Sequence, residues 1–342
     1  MIQGASTEKS ATPMRLAEKS YRGADADFTD VIDFRHRDRC TSSNRGLVVP
    51  HPHLALAGAP EAKVYSLRGY SGFYFVDRAV PSAEDQVAWS RRCVSRYCAA
   101  PLAVTNISQL ASGGGGAAAA AAAGGGGGAA TSEGQAGGAG KATAGSPGPS
   151  EVALPPPPPQ SCTGGRPPSE KLRWATLGHH FDWATRTYPR ELSSCAAQLP
   201  TELGALATRV AAAVGQSVRA ETAIVNFYRH NSAMCAHQDD CEEAVGSPVV
   251  SVSFGCSAVF LLGGLSRDQP PMALWVRSGD AMVLGGEVRL AFHAMARVLR
   301  GSCPEALRSA AQGDGAEERM VRAYLEEHRI NINVRQVNTQ PS

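Results

Sequence analysis

The chain has 342 residues and a formal net charge of +2 at pH 7, so its overall charge singles out no class of partner. A basic patch on one face remains compatible with this balance, because nucleic-acid binding depends on local phosphate contacts. Nine cysteines without a Cys-x-x-Cys pair argue against a disulfide framework and predict free thiols in a reducing compartment. No apolar run is long enough to span a bilayer.

The N-terminal part of the chain mixes polar stretches with short apolar segments. Residues 1–30 are polar and lack the apolar core of a signal peptide, so we expect them to be disordered, although an organellar transit peptide stays open. Val31–Phe34 is the one segment of the first sixty residues with an ordered composition. Leu67–Val76 predicts a turn that leads into a strand.

Two helices are predicted from capping residues and helical spacing. Ser82 follows Pro81 and can cap a helix that carries Trp89, Cys93 and Tyr97 along one side. Thr201 can cap the other helix. An apolar stripe follows it, formed by Leu203, Leu206, Val210 and Val214.

Residues 112–168, between these two helices, consist of Gly and Ala runs followed by five consecutive prolines. Such a composition buries too little apolar surface to offset the entropy lost on ordering. The Gly-rich run also lacks the Gly-Lys-Ser/Thr ending of a phosphate-binding loop. We therefore expect a disordered insertion within one globular domain.

From residue 221 onward the pattern changes to short apolar runs that are broken by Gly, Pro, Asp and Ser. The runs are Ala223–Tyr228, Val249–Phe254, Ala258–Leu262, Met272–Val276, Ala281–Leu284 and Ile330–Val334. Such closely spaced strands are typical of a sandwich or barrel, with the double-stranded β-helix, or jelly roll, as the natural candidate. The predicted fold class is α+β, mainly β, with the jelly roll over residues 169–337 and supporting helices in an N-terminal extension over residues 31–111. We expect the polar segment 301–318 to be a flexible loop.

His237 and Asp239 are separated by one residue, which places both side chains on the same side of an extended backbone. With a second histidine they would form the facial set of two imidazoles and one carboxylate, which leaves three positions of an octahedral iron ion open. His293 is the distal candidate because it lies among the later strands. Taken alone, a His-x-Asp pair is more often a surface ion pair. Competing candidates for the carboxylate are Asp240, Glu242 and Glu243.

Several motifs surround these residues in a fixed order. They are Asn226–Tyr228, Ser247–Gly255, Phe260–Gly264, Ser278–Leu290 and Arg329–Arg335. The ordered series resembles the AlkB family of nucleic-acid demethylases, which depend on Fe(II) and 2-oxoglutarate. Glu170–Trp174 and Gly178–Trp183 are similar to the eukaryotic AlkB homologue 1 branch of that family.

The resemblance implies a set of metal and cosubstrate ligands. His237, Asp239 and His293 would bind Fe(II), with 2-oxoglutarate and O2 as cosubstrates. The residues implied to contact 2-oxoglutarate are Asn226, Tyr228, Arg329, Asn331 and Arg335. An arginine suits the far carboxylate of such a ligand because its planar guanidinium donates two parallel hydrogen bonds. Without the motif, Arg329 and Arg335 would equally well be interpreted as solvated charges at the end of a strand.

The implied substrate contacts are less complete. The family's substrate lid carries Gly-Tyr-x-Tyr, whereas this chain has His179, His180 and Phe181 after Gly178, without either tyrosine hydroxyl. Imidazole and phenyl rings can still stack on a base. Further candidates for substrate contact are Arg267 and Glu242, the latter with a plain surface carboxylate as the alternative.

Other polar and aromatic residues near the motifs have more ordinary interpretations. Trp174 and Trp183 are interpreted as core residues, and Glu287 with Arg289 as an internal ion pair. Possible phosphate contacts are Lys171, Arg173, Arg186, Arg190 and Arg229, each of which also suits a solvated surface.

The resemblance implies oxidative demethylation of N-methylated bases in DNA or RNA, with release of formaldehyde, succinate and CO2. We expect methylated adenine as the substrate, 6-methyladenine in DNA and/or 1-methyladenine in tRNA, presented in a single-stranded, bulged or flipped context. Alternatives are a protein demethylase or hydroxylase of the same chemistry that acts on a histone, a nucleic-acid-binding module without turnover, and a lysine-based lyase. We expect a monomer without a membrane partner in the nucleus and/or cytoplasm, with the mitochondrion left open.

Overall fold

The structure, a computed structural model, describes residues 11–111, 167–182, 185–188, 198–230 and 232–339. Residues 112–166 of the predicted insertion lie outside the described residues, as do Trp183 and Arg190, so their interpretations remain predictions. In the described part of the chain, no helix has both the length and the apolar character that crossing a membrane requires.

The described residues form seven α-helices and thirteen β-strands. The helices are α1 Pro13–Arg22, α2 Ser42–Leu47, α3 Ala83–Ser95, α4 Asn106–Ala111, α5 Thr201–Ala213, α6 Glu305–Arg308 and α7 Ala316–Glu327. The first strands are β1 Val48–Pro50, β2 Lys63–Leu67, β3 Phe73–Asp77, β4 Val104–Thr105 and β5 Trp174–Gly178. The remaining strands are β6 Thr222–Arg229, β7 Met234–His237, β8 Val249–Gly255, β9 Ala258–Leu262, β10 Met272–Val276, β11 Ala281–Leu284, β12 His293–Val298 and β13 His328–Arg335.

Strands β6 to β13 form a double-stranded β-helix, which confirms the predicted fold class. One sheet has nine strands in the order β1-β2-β3-β11-β8-β13-β6-β5-β4, and the other has four in the order β10-β9-β12-β7. Every pair of neighbouring strands in these sheets is antiparallel. Successive strands from β6 onward are divided between the two sheets, so the sheets enclose a common interior.

Both faces of the four-stranded sheet are covered. Because side chains alternate along a strand, Phe260 and Leu262 of β9 face the main core, whereas Val259 and Leu261 face the opposite side. On that side they form a second buried cluster with Met14 of α1. The α5 helix covers the nine-stranded sheet from the other side through its contacts with β8 and β11. The N-terminal helix is therefore part of the packed domain.

The prediction that residues 1–30 are disordered is wrong for Pro13–Arg22, which form the α1 helix. Thr12 caps this helix by accepting a hydrogen bond from Arg15 N at 3.3 Å. Only a narrow stripe of the helix is buried, at Met14 and Glu18, so its polar composition hid it. An amphipathic helix needs only such a stripe when a sheet is available to receive it.

Two further predictions of local structure are corrected. Residues 301–318 are not a loop, because they contain α6 and the start of α7. In α6, Leu307 is buried, and in α7 the buried Arg322 donates to Asp314 Oδ2 at 2.6 Å. Thr201 is the first residue of α5 rather than its cap, which is Pro200. The cap at Ser82 is confirmed, since its side chain accepts from Asp85 N at 3.0 Å.

Candidate metal centre and cosubstrate pocket

The predicted iron ligands converge at one end of the four-stranded sheet. His237 ends β7 and His293 begins β12, and the two are directly opposite in the antiparallel register. Asp239 follows β7 by two residues. Ligand atoms of the three side chains lie within 4.8 Å of one another, with His237 Nε2 3.9 Å from Asp239 Oδ1 and His293 Nε2 3.8 Å from Asp239 Oδ2. The geometry thus suits a facial set around one metal ion.

Backbone carbonyls fix the orientation of both imidazoles. His237 Nδ1 lies 3.0 Å from Cys235 O, and His293 Nδ1 lies 3.0 Å from Ala291 O. Since a carbonyl oxygen only accepts, each Nδ1 carries the proton and each Nε2 presents a lone pair to the centre. Burial, reinforced by the neighbouring His237, lowers the pKa of His293 to about 4, so this ring is neutral at pH 7. Neutral imidazole is the form that binds metal.

Asp239 is ionised in this environment. Burial alone would raise its pKa, but Arg335 and the two imidazoles outweigh that effect and hold the pKa well below its usual range. Arg335 Nη2 donates to Oδ2 at 2.8 Å, while Oδ1 is the oxygen nearer to His237 Nε2. Arg335 therefore contacts the carboxylate ligand directly. This places it next to the predicted metal site.

Arg329 forms a separate cationic site inside the barrel. Its guanidinium is fully buried and donates to Cys256 O at 3.1 Å, Val276 O at 3.2 Å and Ser253 Oγ at 2.6 Å. Within the described ranges, no carboxylate oxygen lies within 4.0 Å of it and its Nε has no hydrogen-bond partner. Burial lowers the pKa of Arg329 to about 10, so it remains charged at pH 7. A buried cation without a counter-charge fits the carboxylate of a bound dicarboxylic acid.

Three other predicted cosubstrate residues, Asn226, Tyr228 and Asn331, lie beside Arg329. On neighbouring strands Arg329 is directly opposite Tyr228, and Asn331 is directly opposite Asn226, so the four side chains share one face of the sheet. Asn331 Nδ2 donates to Ser251 Oγ at 2.8 Å. Asn226 and Tyr228 line a cavity of about 250 Å³. The residue set therefore fits 2-oxoglutarate as well as Fe(II).

The cavity has further walls that the sequence interpretation did not foresee. Trp174 lines it from β5 and is only half buried, so it is not the plain core residue that was predicted. Met234 of β7 also lines the cavity and receives a long contact of 3.8 Å from the Tyr228 hydroxyl. An aromatic ring and a thioether thus form part of the cavity wall.

The predicted lid residues are mostly buried. Phe181 packs on Tyr188 with ring centroids 5.1 Å apart, in a small cluster with Val337. His180 Nδ1 lies 2.9 Å from Thr176 Oγ1, and burial lowers the pKa of this imidazole. His179 is also buried. The role of these three residues in substrate binding stays a prediction.

Arg267 and Glu242 are both engaged within the protein. Arg267 Nη2 donates to Ala236 O at 3.0 Å, beside His237, and its guanidinium lies over the Phe292 ring. The prediction that Glu242 contacts the substrate is wrong. Its side chain is 1% exposed and forms ion pairs with two arginines, so it does not face a substrate. Its arginine partners could not be recognised from spacing along the chain.

Two residues near the centre had no predicted role there. Arg289 donates to Glu242 Oε2 at 2.9 Å, whereas Glu287, its predicted partner, is exposed. The buried Tyr188 hydroxyl accepts from Arg335 Nη1 at 3.4 Å. No sequence signal marked these contacts, because they join residues that are 47 and 147 positions apart. Among the predicted phosphate contacts, Arg229 pairs with the exposed Glu170 at 3.1 Å.

A jelly roll with this ligand set and a buried arginine defines the class of 2-oxoglutarate- and Fe(II)-dependent oxygenases, and comparison with known proteins agrees. The family model described as "2OG-Fe(II) oxygenase superfamily" matches residues 155–335. The chain is 32% identical to the "Nucleic acid dioxygenase ALKBH1" of Mus musculus over 349 aligned positions, which cover 92% of this chain and 80% of that protein. The chain belongs to the AlkB family within this superfamily and is ALKBH1-like.

Two further relatives match a shorter part of the chain. The "DNA N(6)-methyladenine demethylase ALKBH1A" of Arabidopsis thaliana is 41% identical over 172 residues, 49% of either protein. The "tRNA demethylase abh1" of Schizosaccharomyces pombe is 37% identical over 174 residues, 49% of this chain and 53% of that protein. The match thus spans about half the length of each of these two relatives.

Proposed function

We propose that this protein is an Fe(II)- and 2-oxoglutarate-dependent dioxygenase that removes methyl groups from N-methylated bases in nucleic acid. The observation that carries the proposal is Arg329. This buried guanidinium has no carboxylate partner in the described part of the chain, and it lies inside the barrel that also presents the His237, Asp239 and His293 ligand atoms. A metal site without a cosubstrate would not require such a cation.

Each residue has a defined task in this proposal. His237 and His293 would hold Fe(II) through Nε2, and Asp239 through Oδ1, which Arg335 leaves available by binding Oδ2. Arg329 would bind the far carboxylate of 2-oxoglutarate. When bound, iron, 2-oxoglutarate and O2 supply the oxidation of the N-methyl carbon, and the resulting hydroxymethyl group leaves as formaldehyde. The protein itself orients these groups and excludes water from them.

Methylated adenine is the substrate class that we propose. The Arabidopsis relative is named for N(6)-methyladenine in DNA, and the Schizosaccharomyces pombe relative is named for tRNA. The proposed metal ligands His293 and Asp239 have side chains that are only 12% and 10% exposed, so the target base has to enter a recess of the protein to reach them. A base must leave its stack to reach such a pocket, so we propose single-stranded, bulged or flipped substrates.

The test is the release of formaldehyde and succinate from a panel of methylated oligonucleotides. The panel contains single strands and bulged duplexes with 6-methyladenine and tRNA with 1-methyladenine, alongside methylated histone peptides. We expect turnover of at least one nucleic acid and none of the peptides. His237→Ala and Asp239→Ala should retain the fold, measured by circular dichroism, and lose turnover. Turnover of peptides alone would favour the protein demethylase instead.

A further inference from the structure

Four buried charged side chains form a connected cluster behind the metal centre. Glu242 lies between two guanidiniums, with Oε2 2.9 Å from Arg289 Nη2 and Oε1 3.1 Å from Arg335 Nη1. The Glu242, Arg289 and Arg335 side chains are 1%, 2% and 7% exposed, respectively. Arg335 continues the cluster to the Oδ2 atom of Asp239. The fourth member is thus a predicted metal ligand.

The arginines also hold the loop that carries Asp239 and Glu242. Arg289 Nη1 donates to Asp239 O at 2.6 Å, and its Nε donates to Ser247 O at 2.8 Å. In the same region Gln238 Nε2 donates to Leu290 O at 2.6 Å. These bonds fix the backbone on both sides of Asp239. The orientation of its carboxylate depends on the hydrogen bond that Arg335 Nη2 donates to Oδ2.

The formal charges of the cluster balance through the Glu242 carboxylate. Two guanidiniums then face two carboxylates, and Arg335 shares its two amino groups between Asp239 and Glu242. Without the Glu242 charge, Arg335 would keep Asp239 as its one described carboxylate partner, and Arg289 would have none within ion-pair distance. Since a buried cation without a partner is strongly unfavourable, Arg335 would then bind Asp239 alone and compete with the metal ion for its charge.

We infer that Glu242 is a positioning residue of the metal centre. It neutralises Arg289 and Arg335, so that Asp239 gives up only Oδ2 to a hydrogen bond and keeps Oδ1 and its charge for the ion. The inference deepens the proposed function and rests on it, because the ion is the one proposed there. Partners of this kind, one step removed from the ion, change metal affinity by about 10- to 100-fold when they are mutated.

The test measures metal binding by the metal-free, full-length protein, without substrate or turnover. Co(II) is titrated under nitrogen and its visible absorption is followed. The variant is Glu242→Gln, which keeps the shape of the side chain and removes its charge. The matched control is Glu243→Gln, the same substitution one position further on, at an exposed residue. We expect Glu242→Gln to raise the dissociation constant for Co(II) by about ten-fold or more, and Glu243→Gln by less than about two-fold.

Equal affinities in the two variants would overturn the inference. A second variant, Glu242→Gln combined with Arg289→Gln, removes one charge of each sign and restores the balance. If Glu242 acts through charge, we expect this double variant to bind Co(II) at least about three-fold more tightly than Glu242→Gln alone. Should Glu242→Gln fail to fold, the double variant alone is compared with wild type. A dissociation constant for Co(II) that is about ten-fold or more higher in the double variant than in wild type would then overturn the inference. Failure of the wild-type chain to bind Co(II) would instead overturn the metal centre itself.

Discussion

His293 illustrates how burial prepares a side chain for metal binding before any metal is present. Desolvation and the neighbouring His237 lower its pKa from 6.5 to about 4, and the carbonyl of Ala291 fixes the proton on Nδ1. Both effects favour a neutral ring with Nε2 facing the centre. The same arrangement makes the metal-free protein sensitive to acid, because protonation of the ring is easier in the unfolded chain.

The first prediction concerns this sensitivity. Between pH 6.5 and pH 4 the unfolded chain binds the proton and the folded protein does not, so the free energy of unfolding decreases as the pH falls. The contribution of His293 to this loss is about 2 kcal/mol between pH 7 and pH 5. Urea unfolding of the metal-free protein at both pH values should show the loss. In His293→Gln it should be smaller by about that amount, and an equal loss in both proteins would contradict the assignment.

The second prediction concerns Arg329. Arg329→Lys keeps the charge but loses the planar fork that suits a carboxylate. We expect the KM for 2-oxoglutarate to rise by about ten-fold or more with a smaller change in kcat, because a charge-assisted pair of hydrogen bonds is reduced to one. Succinate formation at varied 2-oxoglutarate measures both constants. Arg300→Lys, at a side chain that is 72% exposed, is the matched control. An unchanged KM in Arg329→Lys would remove this residue from the cosubstrate site.

For single residues, the sequence predicted the metal ligands but not the buried charged residues that support them. His237 and Asp239 are two residues apart, a spacing that has a direct geometric meaning, and the role of Arg329 followed from the family resemblance. Glu242 and Arg335 are joined across 93 positions, and only the folded chain brings them together. Burial of a charged residue cannot be inferred from neighbouring letters when its partner is that distant. Glu242 was therefore assigned to the wrong environment.

Among the secondary-structure elements, the strands with strong β-propensity were predicted well and those that carry the ligands were missed. β9, β10 and β11 have the predicted bounds, because each is an uninterrupted apolar run. β7 has no β-branched residue and β12 has only Val298, so propensity alone did not reveal them. Their pairing with each other and with β9 forms them. Tertiary contacts thus override local preference at the centre.

The third prediction concerns the contact between α1 and β7. Glu18 Oε1 accepts from Ala236 N at 2.6 Å, one residue before His237, and Glu18 is buried. Glu18→Ala leaves that buried N–H without its partner, which costs about 1–3 kcal/mol. Urea unfolding should show this loss, and the Ala236 amide should exchange faster with deuterium. Lys19→Ala, at an exposed residue of the same helix, is the control, and equal exchange in both variants would exclude the proposed anchoring.

For the molecule as a whole, the sequence established the jelly roll and located the break in the domain. The described residues on both sides of the predicted insertion are already joined. β4 pairs with β5, Asn106 Nδ2 donates to Lys171 O at 2.9 Å, and Arg173 N donates to Asn106 Oδ1 at 2.8 Å. The sheet therefore continues across the insertion point. The extent of the nine-stranded sheet was not predicted, because β1 and β4 have only three and two residues.

The fourth prediction follows from this closure. Replacement of residues 112–166 by a flexible Gly/Ser linker of about fifteen residues should leave the domain folded, because such a linker spans the gap and loop-closure entropy changes slowly with length. We expect a melting temperature within a few degrees of wild type and unchanged Co(II) affinity. Differential scanning calorimetry and the metal titration measure these. A large loss of either would show that the replaced residues contribute to the domain.

The position of β7 at the border of the four-stranded sheet has a consequence for self-association. A border strand offers its free amide and carbonyl groups to any other extended chain, which is a common route to fibrils and precipitates. Here the amide and the carbonyl of Ala236 are occupied by the side chains of Glu18 and Arg267. A chain that lacks residues 1–23 would lose the hydrogen bond from Ala236 N to Glu18 and the apolar contacts of Met14. We expect this truncated chain to aggregate, as measured by light scattering, under conditions in which the full chain does not aggregate.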